Sequence, residues 1–231
     1  KITLKKYDAV ITVTPTIVER LSKINPNCSQ ITNYPIIEDC CSVEDSRSFE
    51  NKICFFGGVT DQWCQHKILK AIEGTTVEYI FAGPLDDKDY LKELEQEPGY
   101  KNAEYLGVIK RSECLSIMQK CAAGIALSDY TGNMGGKKGT LGNNKLFEYM
   151  LAGIPVIATD FQLWKEIISR YDCGTFVNPY DINDVKKAIL FYTTHPDEAR
   201  RQGDNGRKAV EMVYNWSTQE KVLLDMYKSL E

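Results

Sequence analysis

The sequence predicts an α/β protein: a Rossmann-like, doubly wound parallel sheet over residues 51–213, with a small piece of a second unit ahead of it. Two observations predict it. From residue 51 onward, short apolar runs rich in Val, Ile and Phe alternate with longer stretches of helical period, as in a parallel sheet wrapped by crossover helices. A polar connector from Glu38 to Glu50 separates those runs from the segment before them.

Taken in order, residues 1–38 read as strand (9–13), helix (16–24) and strand (30–33), and 39–50 as a linker. The main unit should hold strands over 53–56, 77–82, 103–106, 124–127, 155–158 and 175–177. Its helices are expected over 65–72, 88–95, 112–120, 143–152, 163–169 and 181–194. Residues 214–231 form a last helix, opened by a capping box of Ser217 and Glu220 and carried on by Val222, Leu223, Met226, Tyr227 and Leu230. No internal repeat or low-complexity tract interrupts the pattern.

With 231 residues and 43% hydrophobic content, the chain can bury a substantial core. No apolar run approaches the ~18 residues of a membrane span, and no signal-peptide core follows the first lysines. A net charge of −4 gives no general attraction to nucleic acid, so an anionic ligand must be held by local donors. The eight cysteines include no C-x-x-C pair and no zinc-ligand spacing, which reads as reduced, cytoplasmic thiols. The opening residue is not Met, and the chain reads as a fragment of something longer.

The segment 140–159 is the most informative. Gly142-Asn143 opens a helix, Gly153 suits its C-cap, and Pro155 stands where the helix cannot continue. Leu146, Phe147, Met150 and Leu151 make the buried stripe, while Asn144, Lys145 and Glu148 share another face near free backbone N–H groups. Such a helix start accepts a diphosphate, and Lys145 adds a full charge. The preceding loop, 132–139, holds four glycines and two lysines; it is expected to be poorly ordered without ligand and to close over phosphates.

The run Asn144-Lys145-Leu146-Phe147-Glu148-Tyr149-Met150, with Gly153 and Pro155-Val156, resembles the C-terminal-domain signature of the family 4 retaining glycosyltransferases of GT-B fold. Phe55-Phe56-Gly57-Gly58, Phe81-Ala82-Gly83-Pro84, Tyr105-Leu106-Gly107-Val108, the run 173–179 and Trp216-Ser217 resemble further family segments. The resemblance implies that Glu148 holds the donor's ribose hydroxyls, a task that suits a carboxylate accepting from a vicinal diol. It implies N–H groups around Gly142, Asn143, Asn144, Lys145 and Leu146 for the diphosphate, and backbone at Val108 and Ile109 for the base. Gly57 and Gly58 would let the main chain approach the ligand.

Two departures stand out. Thr140 occupies the position of a second glutamate that contacts the donor sugar, so sugar recognition must differ or come from the loop. Gly58 replaces an arginine that commonly neutralises the leaving diphosphate, which makes Lys67, with Lys145, the candidate for that catalytic role.

The resemblance further implies a nucleoside-diphosphate sugar as substrate, no metal or other cofactor, and an acceptor domain mostly missing from residues 1–38. A membrane-associated glycan or lipid-linked acceptor at the inner face of a bacterial membrane is the implied setting. Asp87-Lys88-Asp89 matches the metal-binding D-x-D of another glycosyltransferase fold, but at a helix start it reads as a cap. A sugar-nucleotide epimerase and a non-catalytic nucleotide-binding module are the rival readings.

Overall fold

The computed structural model describes residues 3–39, 49–85 and 87–230. Most of the expected linker, 39–50, lies outside the described residues. The N-terminal piece comprises β1 (Val10–Thr12), α1 (Pro15–Ser22) and β2 (Cys28–Gln30), with β1 and β2 paired in parallel, Val10 opposite Cys28. β2 therefore lies two residues earlier than the sequence suggests.

The main unit is β3 (Glu50–Phe56), α2 (Gln65–Ile72), β4 (Glu78–Ala82), α3 (Lys88–Glu95), β5 (Ala103–Tyr105), α4 (Arg111–Met118), β6 (Cys121–Ala126), α5 (Lys145–Ala152), β7 (Val156–Thr159), α6 (Gln162–Tyr171), β8 (Gly174–Val177), α7 (Ile182–Thr194) and α8 (Pro196–Met212). The strands lie in the order β5-β4-β3-β6-β7-β8 with every pair parallel. Counted from its own first strand this is the 3-2-1-4-5-6 order of a doubly wound sheet, and the reversal falls between β3 and β6. The crevice at the carboxyl ends of those two strands is where such sheets bind ligands.

Several elements of this unit differ from the sequence reading. β3 begins at Glu50, three residues before the expected strand and at the last position of the expected linker. β6 begins at Cys121, three residues before the predicted strand, because Cys121, Ala122 and Ala123 are fully enclosed despite their weak strand preference. α8 went unpredicted. Its composition is strongly polar, and its buried side is mostly small residues, Ala199, Gly203, Gly206 and Ala209, together with Gln202 and Val210. Gly203 lets the helix touch the main chain after α5: a Cβ there would lie 2.1 Å from Gly153 O.

α9 (Trp216–Lys228) is capped by Asn215, whose side chain accepts from Thr218 N at 3.3 Å, rather than by the expected Ser217–Glu220 box. It reaches the N-terminal piece through Gln219 Oε1, which accepts from Thr32 N at 2.8 Å, and through Trp216 N donating to Pro35 O at 2.9 Å. Tyr34 packs edge-on against Phe147 of α5 and against Tyr214.

Candidate functional site

A cavity of about 480 Å³ lies at the switch between β3 and β6, bounded by the turns after β3, β4 and β5 and by the start of α5. Gly57, Val108, Ile109, Gly142, Asn143, Asn144, Lys145 and Glu148 all line it. Gly58, Thr140, Leu146 and Lys67, also named from the sequence, do not.

The α5 helix starts at Lys145, two residues later than predicted, and ends in a left-handed Gly153. The cap comes from Asn143, whose Oδ1 accepts from Lys145 N at 3.1 Å, so one N–H group of the first turn is already satisfied. Asn144 Oδ1 is a buried acceptor with no hydrogen-bond partner among the described residues. Leu146 is wholly buried and enters the core rather than the cavity. Tyr149, one residue past Glu148, fixes the helix to the sheet: its hydroxyl accepts from Phe56 N at 3.3 Å and donates to Ile125 O at 3.1 Å.

Glu148 faces the cavity with its side chain only 14% exposed, and its Oε1 accepts from Arg111 Nη1 at 2.7 Å. Arg111, the first residue of α4, was missed by the sequence reading. Nothing short of the fold brings it to a partner 37 positions away.

Lys145 is the other charged group from α5. Its Nζ sits 3.7 Å from the centre of the Trp63 ring and 4.9 Å from that of Phe55. Desolvation lowers its pKa to about 8. Gly57, at φ +145°, makes room for it, since a Cβ there would fall 2.3 Å from Lys145 Nζ.

Lys67 is turned to a different task. Its ammonium is hydrogen-bonded to Asp129 and lies 4.3 Å over the Tyr180 ring. Burial by itself would lower this lysine, but the hydrogen bond to Asp129 holds it above its usual value. Its charge is thus matched by Asp129, and it lies outside the cavity lining. Thr140 is likewise engaged elsewhere: its Oγ1 pairs with Thr14 Oγ1 at 2.8 Å and accepts from Gly142 N at 3.0 Å, tying the N-terminal piece to the start of α5. At Gly58 a Cβ would meet nothing within 4 Å, so the position looks into open space.

The loop 132–139 holds local turns. It folds as two successive 3-10 turns, Gly132–Met134 and Gly136–Lys138, anchored by a buried Met134 and by Gly139 packed on Phe161. Asp87 accepts from Asp89 N at 2.8 Å and caps α3, as expected.

The sheet order, with a helix start, a lysine and a carboxylate around its switch-point crevice, defines an α/β protein of nucleotide-binding architecture. The chain belongs to the family described as glycosyl transferases group 1, whose model matches residues 43–209.

A curated relative, the MMP alpha-(1->4)-mannosyltransferase of Mycolicibacterium hassiacum, is 29% identical over 72 residues, 31% of this chain and 18% of that protein. Among solved structures, a mutant of S. aureus TarM, in complex with fondaparinux, alpha-GlcNAc-glycerol and UDP, matches with TM-score 0.78 and 15% identity over 97% of this chain and 45% of its own. Anabaena Alr3699/HepE in complex with UDP and glucose matches with TM-score 0.78 and 16% identity over 96% and 63%. Sucrose-phosphate synthase from Thermosynechococcus elongatus gives 0.78 and 19% over 98% and 59%. The chain thus spans 18% of the curated relative and about half of these solved chains. Among the described residues no helix is long and apolar enough to cross a membrane.

Proposed function

We propose that this chain is the donor-binding portion of a retaining, metal-independent glycosyltransferase, and that the cavity beside α5 takes a nucleoside-diphosphate sugar. The observation that carries the reading is the pairing of two unlike groups on one helix start. Lys145 and the N-terminal N–H groups suit a diphosphate, and Glu148, one turn further on, suits the vicinal hydroxyls of the adjoining ribose. Val108, 75% exposed on the turn after β5, and Ile109 offer an apolar ledge for the base. Membership of the transferase family supports this, as do the UDP complexes among the structural neighbours.

In this reading, transfer leaves a diphosphate whose growing negative charge is offset by Lys145 and by the positive end of α5. Glu148 fixes the ribose and hence the position of the leaving group. Residues 1–38 are the last strand, helix and strand of an acceptor domain, 39–50 the linker, 51–213 the donor domain, and 214–231 a helix returning toward the first. The acceptor is a surface polysaccharide or lipid-linked glycan of a bacterial membrane, reached from the cytoplasmic side, and the chain alone does not complete transfer.

Calorimetry with uridine, guanosine and adenosine diphosphates and their sugars tests the reading. Binding of one base series supports it. Binding of none would leave a scaffold with a transferase fold.

A further inference from the structure

The Lys145 ammonium has an unusual setting for a cation at a ligand site. Its near neighbours are aromatic faces, Trp63 at 3.7 Å and Phe55 at 4.9 Å, and among the described residues no carboxylate lies within ion-pair distance. None of the acids or the thiol on the neighbouring elements forms an ion pair with it. Glu148, on its own helix, is paired with Arg111, and Asp129, at the end of β6, with Lys67. Cys64, next to Trp63, is buried, which pushes its thiol up to about 12 and keeps it uncharged. Tyr149 is occupied by Phe56 N and Ile125 O. Asp61, at the start of the turn that carries Trp63, makes no ion pair with Lys145.

Trp63 itself is 8% exposed and packed against Phe55, so its ring cannot swing away. The short 3-10 turn Asp61–Trp63 that carries it is pinned by Asp129 N donating to Gln62 O at 3.1 Å. An ion pair would orient the lysine but cancel its charge. A ring face orients it and leaves the charge uncancelled.

Resting on the donor-binding reading above, we propose that Trp63 is a positioning residue: its indole face holds Lys145 in place as an uncompensated cation, reserved for the diphosphate of the donor. The same turn supplies the geometry that an arginine or lysine after β3 would otherwise supply as charge. Gly58 presents no side chain there, and the aromatic cradle delivers the cation from α5 instead.

The test measures affinity for the uridine, guanosine or adenosine diphosphate that the parent binds, and for its matching nucleoside, in the parent, Trp63→Leu and Trp63→Phe. Loss of a partly desolvated cation–π contact corresponds to about a tenfold loss of affinity. That loss is expected for the diphosphate with Trp63→Leu, while the nucleoside changes by less than about twofold and Trp63→Phe, a weaker ring face, falls between the parent and the leucine variant. In a Lys145→Met background, Trp63→Leu should cost nothing further.

Should the leucine variant melt too low to titrate, a difluorotryptophan replacing the three tryptophans keeps the shape and drains the ring face. It should weaken the diphosphate severalfold and spare the nucleoside. Unchanged diphosphate affinity in Trp63→Leu or the fluorinated protein, or an equal loss for nucleoside and diphosphate, overturns the proposal while leaving the donor site standing. A parent that binds none of the three diphosphates overturns both.

Discussion

Arg111 Nη1 stands 2.7 Å from Glu148 Oε1, so the first residue of α4 holds the carboxylate that the first turn of α5 turns into the cavity. The pair is unequal in burial, 46% exposed for the arginine side chain against 14% for the glutamate. A carboxylate has more acceptor sites than one guanidinium N–H fills, so Glu148 can keep Arg111 and still take ribose hydroxyls.

On the donor-binding reading, Arg111 orients Glu148. Arg111→Ala should leave thermal stability within about 1 kcal/mol of the parent, as expected of a half-exposed ion pair. Nucleotide affinity should fall about three- to tenfold, less than for loss of Glu148 itself. Parallel melting and titration curves check both halves.

Lys145 gives the site a pH dependence of known sign. Burial lowers its pKa from the usual 10.5 to about 8, so from about pH 8 upward the free site loses its ammonium. Diphosphate affinity should be level from pH 7 to 7.5 and fall from about pH 8 toward 9.5, whereas Lys145→Met should show no such decline. The linkage to stability runs the other way. Between about pH 8 and 10.5 the folded chain holds fewer protons here than the unfolded chain, so this group's contribution to stability rises with pH across that window.

Much of α5 was legible from the sequence because its signals are local: a four-residue buried stripe, Gly153 past its end and Pro155 beyond. The partners of its polar face were not. Arg111 reaches Glu148 only once β5 and β6 are in one sheet, and Asp129 claims Lys67 across 62 positions. α8 was hidden for another reason: its buried positions recur at helical spacing, but they are mostly Ala and Gly with Gln202 among them, so the apolar signal is weak within a strongly polar run. In the loop 132–139 the burial of Met134 was not legible, because nothing local to a glycine-rich run marks one methionine for the core.

The close packing of α8 is itself open to test. In Gly203→Ala the new Cβ would sit 2.1 Å from Gly153 O, a backbone atom that cannot move without shifting the end of α5. Overpacking of this kind costs about 2–3 kcal/mol, which for a chain of this size lowers Tm by roughly 5–10 °C. A melting curve superimposing on the parent's would show that α8 does not lie where it is described.

Charge at the proposed diphosphate site comes from Lys145 and the α5 start, so binding should persist in EDTA. Calorimetry with and without chelator should give the same Kd. Loss of binding restored by magnesium or manganese would make the donor site a metal site and undo the metal-independent reading.

The central claim, that the cavity beside α5 holds a nucleotide by its ribose and diphosphate, is tested most directly at Glu148. Removing one partner of a charge-assisted hydrogen bond costs about 1.5–3 kcal/mol, or roughly ten- to a hundredfold in affinity. Calorimetry of the parent and Glu148→Ala, each with the ribo- and the 2′-deoxynucleoside diphosphate, should show that loss for the ribonucleotide in the variant. The deoxy ligand should bind the parent much more weakly than its ribo counterpart, yet the two should bind the variant almost alike, with melting temperature barely altered. A variant that binds the ribonucleotide as tightly as the parent, or that melts far below it, would contradict the account and return Glu148 to a structural role beside Arg111.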